Sequence, residues 1–279
     1  AGRAMLWSRI AKLTREAAED ADLLVWPEGG FPFAFQTERV RMKPSPQDNA
    51  HTIFSRRLVA LATALGQPFV ASGLRAEDRR LHNSALFFDG KTREPQVYDK
   101  HLLLWFGERI PFSDTFPSLA ESFPHASNHR AGEEFVLFDV GGARWAPNIC
   151  YEALFPTFTR RGLNAGEGAD VLLNMTNDVW FGSAQEAEHH LMVQVQRAIE
   201  NRVWLVRATN SGISAFVDPA GNTLARGEAD DRLVVTYDVR ITDHPRSFYR
   251  RYGDLIYYVF MGLSGAYLAF VSRLSSRSS

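Results

Sequence analysis

The feature that most limits the folds open to this chain is a set of short, nearly unbroken apolar runs at residues 23–26, 68–72, 170–175 and 203–207. Runs of that length are too short for helices and read as buried strands. Helical patterns separate them. Residues 5–21 place Leu6, Ile10, Leu13 and Ala17 on one face, and residues 51–65 form a second amphipathic helix stopped by Gly66. Further helices are expected over 157–163 and 186–201. Residues 83–88 and 96–98 read as a strand pair around Asp89-Gly90, and residues 136–140 and 143–149 as another around Gly141-Gly142, with later strands at 213–217 and 233–239. Helices alternating with buried and paired strands make an α/β chain, and 279 residues are enough for one large domain or two small ones.

Open α/β sheets build their sites beyond the carboxyl ends of strands. Three such ends carry reactive groups here. Glu28 follows the first apolar run, Lys100 follows the strand at 96–98 with Glu108 eight residues on, and Cys150, the only cysteine, follows the strand at 143–149. Each is ordinary alone: a lone cysteine usually serves as a small hydrophobe, and Glu and Lys are common surface residues. A catalytic thiol needs a base and a group to hold a developing oxyanion, because it is only slightly ionised at neutral pH. A glutamate, a lysine and a cysteine at three strand ends supply that set.

A formal charge of -1 gives no electrostatic footprint for nucleic acid, and a single cysteine excludes an internal disulfide and a cysteine-based zinc site. His125 and His129 stand four apart, but Pro124 and Gly132 bracket too short a helix and no third ligand is evident, so no metal is expected there. His189 and His190 open the helix at 186–201, and His190 reads as a helix-start histidine facing solvent or substrate. Residues 29–48 form a long segment whose Phe31, Phe33 and Phe35 suit either an edge strand or flap over the site, or the core beneath it. Residues 111–132 read as a lid, with Phe116, Leu119 and Phe123 packing inward.

In chain order, Trp26-Pro27-Glu28, Lys100 followed by Phe106-Gly107-Glu108, Cys150-Tyr151-Glu152, the stretch 177–182 and the stretch 207–214 resemble the nitrilase superfamily and, within it, the apolipoprotein N-acyltransferase branch. The resemblance covers roughly residues 23–238. It implies a four-layer α-β-β-α sandwich and a Glu28, Lys100, Cys150 triad that works without metal or cofactor. Glu28 would be the base and Cys150 the nucleophile. Lys100 and the Tyr151 amide would hold the oxyanion, and the lysine would favour the thiolate. Glu108 matches a second glutamate that binds the lysine or substrate, as against a loop salt bridge to Arg109. Glu152 is expected to buttress the nucleophile's turn, or else to position Glu28. Trp105, Trp180, Phe181 and His190 are candidates for the substrate pocket. Two departures from the branch touch the pocket walls: Gly29-Gly30 where Ser or Thr and then Ala are expected, and Trp105 in place of proline.

Residues 255–271 carry no charge and are bracketed by Arg251 and Arg273. A helix of that length rises roughly 25 Å against a hydrocarbon core of about 30 Å, so it reads as a membrane span with snorkelling arginines, or else as a buried terminal helix. Gly262 and Ala266 offer a small face to another helix. The expected domains are therefore a catalytic domain over 1–245, a span over 255–271 and a tail over 272–279. The resemblance also implies a bacterial inner-membrane enzyme with its catalytic domain outside, a phospholipid acyl donor, and the N-terminal amine of a diacylglyceryl apolipoprotein as acceptor. It further implies a strand before the first helix and membrane helices upstream, neither of which precedes residue 5, so the chain is read as a fragment. The competing readings are an amidase or nitrilase that hydrolyses a C–N bond with the same triad, and a membrane-anchored binding protein without catalysis.

Overall fold

The computed structural model describes residues 2–275 apart from 79, 114, 117, 120–122, 124–126, 182–183, 229–233 and 243–244, with residues 180, 181, 184, 274 and 275 described by their backbone alone. Helix α1 (Gly2–Ala17) leads into the two-residue strand β1 (Leu24–Val25), followed by β2 (Phe31–Gln36) and the short α2 (Thr37–Arg41). Helix α3 (Ala50–Leu65) starts where the Asn49 side chain accepts from the Thr52 amide, and it stops at Gly66 in the left-handed conformation. Strands β3 (Phe69–Glu77), β4 (Arg80–Phe88) and β5 (Gln96–Asp99) complete a first sheet ordered β1-β3-β4-β5, with β2 paired to the far half of β3.

The second sheet holds β6 (Phe138–Val140), β7 (Ala143–Ile149), β8 (Val171–Asn177), β9 (Trp204–Asn210), β10 (Ala215–Val217) and β11 (Thr223–Arg226), ordered β11-β10-β9-β8-β7-β6. Its β7, β8 and β9 are parallel, and helices α4 (Pro156–Leu163) and α5 (Ala184–Asn201) supply the crossovers that parallel pairing requires. The short α6 (Phe248–Tyr252) and the long α7 (Leu255–Ser275) follow.

Side-chain alternation along the strands sorts the core into three slabs and the chain into four layers. Phe69, Ala71, Leu86 and Phe88 face Trp7, Phe54 and Leu58 of the first helical layer. The residues between them, Val70, Ala85 and Phe87, face the other sheet and meet Phe138, Ile149, Val171, Leu173 and Met175. Leu172 and Leu205 turn the opposite way, onto Leu163, Leu191 and Ala198 of the second helical layer. Phe87 stacks on Phe138 across the two sheets with ring centroids 4.9 Å apart. Full burial of each such side chain contributes about 1.5–3 kcal/mol.

Three expectations change. Phe31, Phe33 and Phe35 lie on the edge strand β2 and fill the core under α1 and α3, so they are no flap. Phe116 and Phe123 are exposed instead of packing inward. The strand expected at 233–239 is absent from 234–239, residue 233 lying outside the described residues. Its apolar side chains are satisfied without a ladder, because Tyr237 rests against Trp204 and Phe216 while Trp204 Nε1 donates to the Arg240 carbonyl. Within α7, Leu255–Arg273 is long and apolar enough to cross a membrane and is nowhere buried against the domain, which removes the buried-helix reading.

Candidate active site

The ends of β1 and β5 meet at one polar cluster. Pro27 has no N–H to extend the β1 ladder after the Trp26 amide bonds the Val70 carbonyl, so the chain turns off the sheet at Glu28. Gly29 then takes φ +71°, and a side chain at Gly30 would put its Cβ 2.9 Å from the Pro27 carbonyl oxygen. The glycine pair is thus demanded by the turn that presents Glu28. On β5, alternation sends Asp99 to one face, where it holds Arg75, Ser84 and His82, and Lys100 to the other. A cavity of about 1190 Å³ opens on the Asp99 side and is lined by none of the triad.

Lys100, only 2% exposed, points its Nζ at Glu28 Oε1 (3.2 Å) and Glu108 Oε2 (2.9 Å). Glu108 is aimed by a tight turn in which the Leu104 carbonyl accepts from the amides of Gly107, Glu108 and Arg109, and the Leu104 amide in turn donates to Glu108 Oε2 at 2.9 Å. Its carboxylate thus contacts Lys100. Asn83 on β4 completes the cluster: its Nδ2 donates to both Glu28 Oε1 and Glu108 Oε1 at 2.7 Å, and its carbonyl accepts from the Lys100 amide at 2.8 Å. Sequence reasoning missed Asn83, an amide in the polar first half of β4, where His82 and Ser84 on either side leave it without a signal of its own.

Cys150 leaves β7 with φ +56°, a left-handed conformation costing a non-glycine residue roughly 1–2 kcal/mol. The turn is pinned by Glu152. Its fully buried carboxylate accepts from the Ile149 amide (2.7 Å), the Tyr98 hydroxyl (2.8 Å) and the amides of His101 (2.7 Å) and Leu102 (3.1 Å). One side chain thereby ties the residue before the thiol to the residues just after Lys100. The Tyr151 amide favours the ionised form of the Cys150 sulfur, and the Tyr151 ring lies 5.4 Å from Lys100 Nζ, a cation–π contact not foreseen from sequence.

The charges decide what this arrangement can do. Burial works against the Lys100 ammonium, but Glu28, Cys150 and Glu108 outweigh it and raise its pKa, so it stays charged. Burial likewise opposes the Glu108 carboxylate, and Lys100 with the Leu104 amide and Asn83 holds its pKa below the ordinary value. Cys150 goes the other way. Burial first and then Glu28 push its thiol up to about 12, and the opposing pull of Lys100, Thr176 and the Tyr151 amide is smaller. Lys100 thus pulls toward the thiolate, but burial and Glu28 outweigh it. A thiol pushed up in this way needs a base to lose its proton, and Glu28 is the carboxylate whose charge acts on it.

A family model of carbon-nitrogen hydrolases matches residues 3–243. The chain belongs to that family, the nitrilase superfamily. It is 33% identical over 262 residues to the apolipoprotein N-acyltransferase of Bdellovibrio bacteriovorus, covering 88% of this chain and 45% of that protein. It is 32% identical over 247 residues to the enzyme of the same name from Geobacter metallireducens, again covering 88% and 45%. The chain thus spans about half the length of these curated relatives. Among solved structures, an amidase from Nesterenkonia sp. superposes with a TM-score of 0.60 at 22% identity, covering 82% of this chain and 81% of that one. A CN-hydrolase superfamily protein from Xanthomonas campestris superposes with a TM-score of 0.57 at 21% identity, covering 84% and 82%. These likenesses show the nitrilase fold.

Not all the expected pocket residues join the cluster of this nitrilase-superfamily chain. Trp105 is 69% exposed on the turn that aims Glu108. Trp180 and Phe181 lie on a short 3-10 turn, with side chains outside the described residues. His190 is a correction: it is 4% exposed, with Nδ1 2.8 Å from Asp178 Oδ1 and Nε2 3.0 Å from Gln194. Helix α5 begins at Ala184, which carries His190 well past the first turn and onto the inward face. His125 lies outside the described residues.

Proposed function

We propose that this chain moves an acyl group from a phospholipid, through a thioester on Cys150, to the N-terminal amine of a diacylglyceryl apolipoprotein, as the catalytic part of an N-acyltransferase on the outer face of a bacterial inner membrane. The observation that carries the reading is the pairing of a thiol held among Glu28, Lys100 and Tyr151 with α7, an apolar helix exposed along its length. Identity of about one third to apolipoprotein N-acyltransferases supports it. In this reading residues 1–245 are the catalytic domain and 255–271 the span.

As Cys150 Sγ bonds to the ester carbonyl carbon, its proton passes to Glu28. Lys100 Nζ and the Tyr151 amide stabilise the oxyanion, each donor contributing about 3 kcal/mol in a dry site. Collapse breaks the ester C–O bond, the proton on Glu28 goes to the departing oxygen, and a lysophospholipid leaves behind the thioester. The acceptor amine then attacks the thioester carbonyl, Glu28 takes an amine proton, and that proton returns to sulfur as the C–S bond breaks. The product is an amide and the thiol is restored.

The test is the intact mass of the protein after incubation with phospholipid vesicles, beside Cys150→Ala, with hydroxylamine to cleave a thioester. A hydroxylamine-labile acyl adduct on the wild type alone is expected. Turnover of small amides without an adduct would move the chain to the amidases, and an adduct on both proteins would remove Cys150 as nucleophile.

A further inference from the structure

Cys150 is held from the sheet side by residues that the triad does not include. The parallel register of β7 and β8 ends with Ile149 opposite Met175, and Cys150 and Thr176 are the residues that follow these two. Thr176 is fully buried. Its hydroxyl donates to Asp178 Oδ1 at 3.5 Å and lies near enough to the Cys150 sulfur to favour its ionised form. Two residues back on β8, Asn174 Nδ2 donates to the Cys150 carbonyl at 3.2 Å and to Asn148 Oδ1 at 2.9 Å.

Both arms run to one guanidinium. Arg207 Nη1 donates to Asn174 Oδ1 at 3.4 Å, Nη2 to Asp178 Oδ2 at 2.6 Å, and Nε to the Ile213 carbonyl at 3.0 Å. The Arg207 and Asp178 side chains are 0% and 1% exposed. On the far side, the His190 imidazole bridges Gln194 Nε2 at 3.0 Å and Asp178 Oδ1 at 2.8 Å. A buried ion pair of this kind is weak evidence for stability, since apolar replacements of similar volume often do as well. Here its two branches end on the carbonyl and the sulfur of the one residue that leaves β7 in the left-handed conformation. Strain of that sort persists where the surroundings over-determine it.

We propose that Asn174 and Thr176, oriented by the buried Asp178–Arg207 pair, are positioning residues for the nucleophile. Asn174 holds the Cys150 carbonyl and with it the turn, while Thr176 gives its hydroxyl proton to the sulfur as charge develops there. In the resting thiol that proton points to Asp178; when the S–H proton leaves, the hydroxyl swings to sulfur. Asp178 is the second acceptor that makes the swing possible. Valine or alanine at 176 removes the device and serine keeps it. The proposal rests on Cys150 being the reactive group and is independent of the acyl donor.

The test is alkylation of Cys150 by iodoacetamide, read by intact mass from about pH 6 to about pH 10, in the wild type and in Thr176→Val, Thr176→Ala and Thr176→Ser, with thermal melting alongside. Val and Ala are expected to slow alkylation about ten-fold at every pH, as loss of one hydrogen bond to a charged acceptor requires, and Ser to restore it. Wild-type rates in Val and Ala, or a Ser variant as slow as they are, would overturn the proposal. Alkylation needs no acyl transfer, so a protein that alkylates as expected but forms no acyl adduct would fail the proposed function and leave this positioning role standing.

Discussion

The charge state of Cys150 can be pushed in a direction that separates its two neighbours. Burial and Glu28 hold the thiol at about 12 against 9.0 for an unperturbed cysteine. Three units correspond to a thiolate fraction about 10³-fold smaller at any pH below the ordinary value. Iodoacetamide reacts with the thiolate, so wild-type alkylation should climb about ten-fold per pH unit without a plateau up to at least pH ~10. Glu28→Gln removes the second-largest cause of the shift and leaves the pull of Lys100, so the thiol pKa falls and alkylation at fixed pH speeds up. Acyl transfer should move oppositely, falling about 10²–10⁴-fold with loss of the general base. The two rates are measured on the same preparations by intact mass. A plateau below pH ~9 in the wild type would mean a preformed thiolate–lysine pair. Parallel losses of alkylation and transfer in Glu28→Gln would equally refute the reasoning.

Asn83→Leu removes two 2.7 Å hydrogen bonds to carboxylates, and thioester formation should fall about 10²-fold with the melting curve largely retained. Asp178→Leu strands Arg207 as an unpaired buried charge and should cost about 3–5 kcal/mol in denaturant titration, whereas Asp178→Leu combined with Arg207→Met should recover most of it without recovering Cys150 reactivity. Burial raises the Glu152 carboxyl to about 7 from 4.5, so the folded state binds its proton more tightly than the unfolded chain. Its contribution is full below the unfolded value and is lost as pH rises through about 7, a fall of roughly 3 kcal/mol that Glu152→Gln should flatten in pH-dependent unfolding. Gly132→Ala would drive its Cβ into the Asp99 carbonyl oxygen, on the strand that presents Lys100, and should cost more than about 1 kcal/mol and slow acyl transfer.

Much of the fold is legible in the chain because local signals agree with the final packing. Asn49 and Gly66 bound α3, and the Gly141-Gly142 turn joins β6 to β7 and so places Cys150 at a strand end. The positions of Glu28, Lys100 and Cys150 are legible for the same reason, as each follows a short strand or the turn after it. Asn83 is not, because an amide within a strand has no period or motif of its own. Its role comes from carboxylates 55 and 25 residues away. His190 is misread because helical spacing does not say which face turns inward when the start of the helix is uncertain by a turn. The apolar residues of 234–239 resemble a strand because packing against Trp204 and Phe216 demands the same side chains whether or not a ladder forms.

By itself, then, the sequence determined the order of strands and helices, the turns that end them and the reactive groups set at those ends. Those outcomes depend on sterics and hydrogen bonds that act within a few residues. Only the tertiary structure decided that Lys100 sits between two carboxylates, that Arg207 reaches Cys150 through Asn174, and that burial and Glu28 push the thiol up. Those outcomes are sums of burial and charge, which depend on distance through space and on the exclusion of water. Neither quantity exists until the two sheets have closed on each other.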